Sequence, residues 1–213
     1  MARFFPPDFP APDFRRGEQA VWEALSHQLP VDAAVFHSLR LPDGTREREI
    51  DFVVAYPDEG LAVLEVKGGQ VRRGEDRHWY GCKGDDFRPM RLNPMEQATE
   101  VRHLLTNWLH QQGLQAGSAR IQHLVVLPHT DTEGYDAHDF RRSQVVDKHA
   151  MPQLAARLLT AIQAGDGHET LSAWGLEQLT TMLIPVMDTS GELAVAAEAD
   201  EIADRLPTGP RTR

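Results

Sequence analysis

Apolar positions along the chain follow two periods, and the switches between them predict the order of elements. Val21, Trp22, Leu25 and Leu29 recur at three- and four-residue steps, which predicts an amphipathic helix over 17–29 closed by Pro30. Strand-like runs follow at 33–39, 49–56 and 61–66, separated by the turn clusters PDGT and PDEG, and they read as an antiparallel meander. Trp79, Tyr80 and Phe87 mark weaker strand material in a glycine-rich excursion. A second helix opens at Asn93-Pro94, a capping residue followed by a first-turn proline. Its apolar stripe of Val101, Leu104, Leu105 and Trp108 also includes Gln97, and it stops near Gly113. The unbroken apolar run 121–127 predicts a buried strand and Val145-Val146 a shorter one. Residues 152–163 and 176–184 predict covering helices, the second ended by Pro185.

The two ends of the chain have a different character. The opening FFPPDFPAPDF is too proline-rich for a helix or central strand and predicts an extended arm over 1–13 laid on apolar surface. After 187 the residues turn small and acidic, which predicts a linker or flexible tail over 188–213 and leaves one α/β domain over 14–187.

Composition narrows the function classes. A hydrophobic content of 41% and a charged content of 25% are ordinary for a globular protein, and no apolar run approaches the ~20 residues that span a bilayer. The N-terminus lacks a basic start followed by an apolar stretch, so a cytoplasmic location is expected, and the single Cys82 excludes an internal disulfide. A net charge of -10 argues against a general nucleic-acid coat, because phosphate binding needs clustered Lys and Arg. Any DNA contact is therefore expected to be local, with Arg72, Arg73, Lys83, Arg88 and Arg91 as the candidates; a solvated charged hairpin is the competing reading.

Side-chain alternation over 61–67 puts Glu65 and Lys67 on one face. In the preceding strand it groups Ile50, Phe52 and Val54 on a greasy face, opposite Glu49, Asp51 and Val53. Asp51 joins Glu65 and Lys67 only if odd positions pair with odd, which requires an odd-length loop around 57–60. Two carboxylates forced together repel, and a hard divalent cation, Mg²⁺ or Mn²⁺, relieves them. Asp51, Glu65 and the Val66 carbonyl are the expected ligands, with Glu18 arriving from the buried face of the first helix. Lys67 is expected to orient water or neutralise transition-state charge, and Gln97 to hold water or substrate. A lone Glu-x-Lys is ordinarily an exposed ion pair. Five polar groups on otherwise apolar elements, in the order helix, strand, strand, helix, are far more specific.

The ordered stretches GEQAVWEALSHQLP, VFHSLRLPDG, EIDFVV, GLAVLEVKGG, WY and NPMEQA resemble the nuclease-related domain (NERD), a branch of the PD-(D/E)XK phosphodiesterases, over about half the chain. The resemblance implies an α/β fold with a mixed sheet flanked by helices, and puts Glu18, Asp51, Glu65, Lys67 and Gln97 in the family's motif positions. His37 falls in the VFH pattern and is expected to support the site from behind. Ile50 stands where the family motif has proline, which leaves the aspartate ligand intact. The activity implied is Mg²⁺- or Mn²⁺-dependent DNA hydrolysis in repair or defence against foreign DNA, with a helicase or similar module as partner. A catalytically silent module that binds nucleic acid or docks a partner is the second reading, and self-assembly through the Phe-rich arm a third. The cluster His129, Asp131, Asp136, His138 and Asp139 matches no trusted metal spacing and reads as a solvated loop, and Cys82 has no convincing His partner. Gly68-Gly69 is expected to serve a turn or a close backbone approach.

Overall fold

The computed structural model describes residues 1–9, 16–74, 76, 78–83, 86–90, 92–133, 140–165 and 169–187. Among the described residues the strands are β1 (Arg3–Phe5), β2 (Ala34–Asp43), β3 (Arg46–Tyr56), β4 (Gly60–Val66), β5 (Val71–Arg73), β6 (Trp79–Lys83), β7 (Asp86–Pro89), β8 (Arg120–Leu127) and β9 (Val145–Asp147). The helices are α1 (Arg16–Gln28), α2 (Pro94–Gln111), α3 (Leu154–Gln163) and α4 (173–187). Six strands form a mixed sheet in the order β1-β2-β3-β4-β8-β9, and β5-β6-β7 form a small sheet of their own. The expected meander β2-β3-β4 is antiparallel, whereas β4 and β8 run parallel and are joined by a crossover through α2.

Each face of the large sheet has its own core. On one, Val53, Leu61 and Val63 pack with Val101, Leu105 and Leu109 of α2 and Leu179 and Leu183 of α4. On the other, Phe52, Val54 and Leu64 pack with Val21 and Leu25 of α1 and Leu158 and Ile162 of α3. β4 is buried along its whole length, because helices cover both faces of the sheet there. The N-terminal arm adds a parallel edge strand, with Phe4 tilted against Trp22 and Phe5 stacked on Phe36.

Strict alternation in β3 fails at one point. Ile50 belongs to the α2 side, with Leu39 and Leu41, while Phe52 belongs to the α1 side, so Ile50, Phe52 and Val54 do not share a face. The ladder between β2 and β3 runs from Ala34↔Ala55 to His37↔Phe52, skips Ser38 and Asp51, and resumes at Leu39↔Ile50. Ser38 has a left-handed backbone, φ 57°, and this local reversal inverts the side-chain phase of both strands beyond it. Arg48 consequently turns to the α2 side, where it meets Glu100, and Glu49 turns to the other, where Ser38 Oγ donates to it.

Two helix ends also bear on the expectations. Asn93 Oδ1 accepts the Met95 amide at 2.7 Å and caps α2, which ends before Gly113 at φ 67°. Helix α4 runs through Pro185 to 187, the last described residue, rather than stopping before that proline. Among the described residues no helix is long and apolar enough to cross a membrane.

Candidate active site

The β3–β4 register brings the candidate residues together. Phe52 pairs with Leu64 and Tyr56 with Gly60, so the turn at 57–59 is odd in length, odd positions of β3 pair with odd positions of β4, and Asp51 lies just past the last pair of the ladder, beside the end of β4. Asp58 in that turn adopts φ 62°, a conformation that Asp tolerates better than most residues. The Val66 amide donates to Asp51 Oδ2 at 2.7 Å, so the aspartate closes the end of the ladder with its side chain. Lys67 is pinned by its own amide, which donates to the Val126 carbonyl of β8 at 3.0 Å. Its Nζ donates to Glu65 Oε1 at 2.6 Å and to Gln97 Oε1 at 2.9 Å.

Both long helices direct their first turns here. Gln97 lies in the first turn of α2, and the amide of Gln97 itself donates to the Asn93 carbonyl. Glu18 lies in the first turn of α1, where Gly17 backs directly onto Gly68; a Cβ built on Gly17 would stand 2.2 Å from the Gly68 Cα. The close approach expected of the Gly68-Gly69 pair is thus with the start of α1. Glu18 Oε2 meets His37 Nε2 at 2.7 Å. His37 is buried among Phe52, Trp22 and Phe9, and its Nδ1 has no hydrogen-bond partner among the described residues.

The electrostatics are those of crowded carboxylates. Loss of water pushes the Asp51 carboxyl well above the usual carboxylate range, and the neighbouring Glu65 and Glu18 add to the rise against the Val66 amide and Lys67. Burial raises Glu65 too, opposed by Lys67 and by Arg48. The oxygen-only set of Asp51, Glu65 and the Val66 carbonyl suits a hard divalent cation, which would offset this repulsion. Even so, among the described residues no group of three or more His, Cys, Asp or Glu is drawn together as a metal site. Each carboxylate is instead engaged by a protein donor: Asp51 by Val66 N–H, Glu65 by Lys67, and Glu18 by His37.

The expected strand-binding residues are more scattered. Arg72 is exposed on the small sheet with its guanidinium 4.2 Å from the Phe87 ring centroid and 5.7 Å from that of Tyr80. Arg88 is exposed and Arg73 half-buried, whereas Arg91 and the Lys83 side chain lie outside the described residues. Of the His129 cluster, Asp136, His138 and Asp139 also lie outside them; Asp131 is held by His149 at 3.0 Å and Lys148 at 3.2 Å. Arg48, not among the residues expected from the sequence, also belongs here, since its charge reaches Glu65. Unbroken alternation places Arg48 with Phe52, on the wrong face, and only the inversion at Ser38 and Asp51 brings it round.

A mixed sheet whose central strand ends in Glu-x-Lys beside an aspartate, flanked by two helix first turns, is the architecture of a nuclease-like domain. The profile of the nuclease-related domain (NERD) matches residues 15–128, more than half of the chain. The protein belongs to the nuclease-related domain family. The match runs through α2 to the end of β8, and so includes every strand and helix that bounds the site. Comparison with curated proteins and with solved structures gave no match.

Proposed function

We propose that this domain hydrolyses DNA phosphodiester bonds with the help of Mg²⁺ or Mn²⁺. The observation that carries the reading is the convergence of Asp51, Glu65, Lys67 and Gln97 at the end of β4, with Lys67 Nζ held between two side-chain oxygens. Asp51, Glu65 and the Val66 carbonyl would hold the cation, and Glu18 joins them if it leaves His37. When bound, the cation supplies positive charge for a phosphoryl oxygen and acidity for nearby water.

The chain's own groups have distinct tasks. Lys67, aimed by Glu65 and Gln97, donates to the phosphoryl oxygen on which charge grows as water attacks phosphorus and the P–O bond breaks. The water's proton passes to solvent or a carboxylate, and the leaving oxygen takes one in return. The first turns of α1 and α2 direct positive dipole ends to the same place, which favours a phosphate. His37 holds Glu18 from behind.

The engagement of every carboxylate by a protein donor favours a second reading, a catalytically silent module that binds nucleic acid or docks a partner such as a helicase. One experiment separates the two: cleavage of linear, circular and single-stranded DNA with Mg²⁺ or Mn²⁺ by the wild type, Lys67→Ala and Asp51→Ala. Cutting that needs metal and falls at least ~100-fold in both variants is expected of the nuclease. A folded wild type that cuts none of these DNAs sinks it and leaves the silent module.

A further inference from the structure

Beside the candidate site, the β2–β3 hairpin and the chain entering α2 enclose a cleft of about 530 Å³. Asp43, Arg46, Glu47 and Arg48 of the hairpin line it, with Met90, Leu92 and Gln97. Gln97 is common to the cleft and the site, since its side-chain oxygen receives Lys67 Nζ at 2.9 Å. Arg48 is clamped by Glu100 at 2.6 Å and Asp43 at 3.5 Å. Arg46 is exposed at the rim and makes no side-chain ion pair among the described residues. Among the described residues the cleft therefore offers one guanidinium outside any ion pair, one guanidinium anchored by carboxylates that include the Asp43 of its lining, the Glu47 carboxylate and two flexible apolar side chains, and it shares Gln97 with the Lys67 ammonium.

Those features match one unit of a nucleic-acid strand. A guanidinium binds a phosphate through parallel N–H donors, and Met and Leu adapt to the flat face of a base or the edge of a sugar. The volume falls inside the roughly 300–1,000 Å³ of ordinary small-ligand sites. Bases in a duplex present only their groove edges, so a base fills such a cleft only when unpaired.

We infer that this cleft is the subsite for an unpaired nucleotide adjacent to the scissile bond, with Arg46 taking its phosphate and Met90 and Leu92 its base, so that the substrate is single-stranded or frayed DNA. The inference rests on the nuclease reading of the neighbouring site. Its test does not, because binding is measured with a chelator present, when no cation enters that site and nothing is cut.

The probe is a fluorescein-labelled single-stranded oligothymidylate of about a dozen nucleotides, followed by anisotropy, with a blunt duplex of equal length as competitor. The single strand is expected to bind about tenfold more tightly than the duplex. Arg46→Gln weakens it by roughly five- to tenfold and lowers the slope of log K against log salt by about 0.7. Leu92→Ala weakens it with the slope unchanged. Arg157→Gln, which removes a charge from α3 on the other side of the sheet, changes nothing. Failure of the wild type to bind, equal binding of duplex, or Arg46→Gln acting no more strongly than Arg157→Gln overturns the inference. The full binding pattern in a protein that cuts no DNA keeps the subsite and removes the nuclease reading alone.

Discussion

Replacing Asp51 by asparagine is expected to reverse the order of stability between wild type and variant when a divalent cation is added. Glu65 raises the Asp51 carboxyl through its charge, and two like charges ~5 Å apart repel by about 3 kcal/mol at an effective dielectric of ~20. The ammonium of Lys67, 2.6 Å from Glu65, offsets much of this, and asparagine keeps an acceptor for the Val66 amide. A net relief of about 1 kcal/mol remains, worth roughly 2–4 °C in a chain of this size. In chelator, Asp51→Asn therefore melts above the wild type. Cation at a hundredfold excess over its Kd stabilises the wild type by about 2.7 kcal/mol, roughly 5–10 °C, while the variant gains little, and the order inverts. The pH dependence follows the raised carboxyls of Asp51 and Glu65. A carboxyl whose folded pKa lies above its unfolded value adds stability at low pH, and that addition is lost as pH rises through the folded pKa. Metal-free wild type should accordingly lose more stability between pH 4 and 8 than Asp51→Asn. Thermal melts by circular dichroism, with chelator and with Mn²⁺, read all three effects. A wild type indifferent to Mg²⁺ and Mn²⁺, or a variant that melts below it in chelator and keeps the full metal shift, refutes the reasoning.

Two other perturbations test different parts of the structure. Burial, with Arg102, His103 and Arg141 nearby, lowers His123 to about 4, so its neutral form contributes stability above its ordinary pKa that is lost as pH falls through about 4. Urea titrations should show His123→Gln losing less stability than the wild type between pH 7 and pH 4, and equal losses would dismiss the assignment. Gly17→Ala drives a methyl group into the Gly68 backbone and should cost about 1–3 kcal/mol, with a lower melting temperature and weaker cleavage; an unchanged melt would mean that α1 is free to shift.

Local signals made most of the elements legible. Asn93-Pro94, the alternation over 61–67 and the turn at 57–59 each act through neighbouring residues, so the helix, the strand and the register they imply follow from short stretches of chain. Glu18 and Gln97 stood out because they interrupt apolar stripes, and the structure puts both in helix first turns that face the end of β4. Four features were illegible, because no short stretch of sequence encodes them. The phase inversion rests on an unusual φ at Ser38, a residue type that gives no warning of it. The place of Arg48 follows from that inversion, and the cleft forms only when the hairpin meets the chain before α2. The attachment of Glu18 to His37 likewise joins a helix to a strand, and no spacing in the sequence encodes it.

The Gly17–Gly68 contact makes the distance between α1 and the end of β4 a property of main chain alone. Side chains usually space packed elements, and any drift in their size alters the gap. Here two bare backbones touch, so the spacing has no adjustable part, and the residues on either side, Glu18 after one glycine and Lys67 before the other, inherit it. Mutational drift in the surrounding core can therefore proceed with little effect on how those two charges are set, provided that neither glycine acquires a side chain.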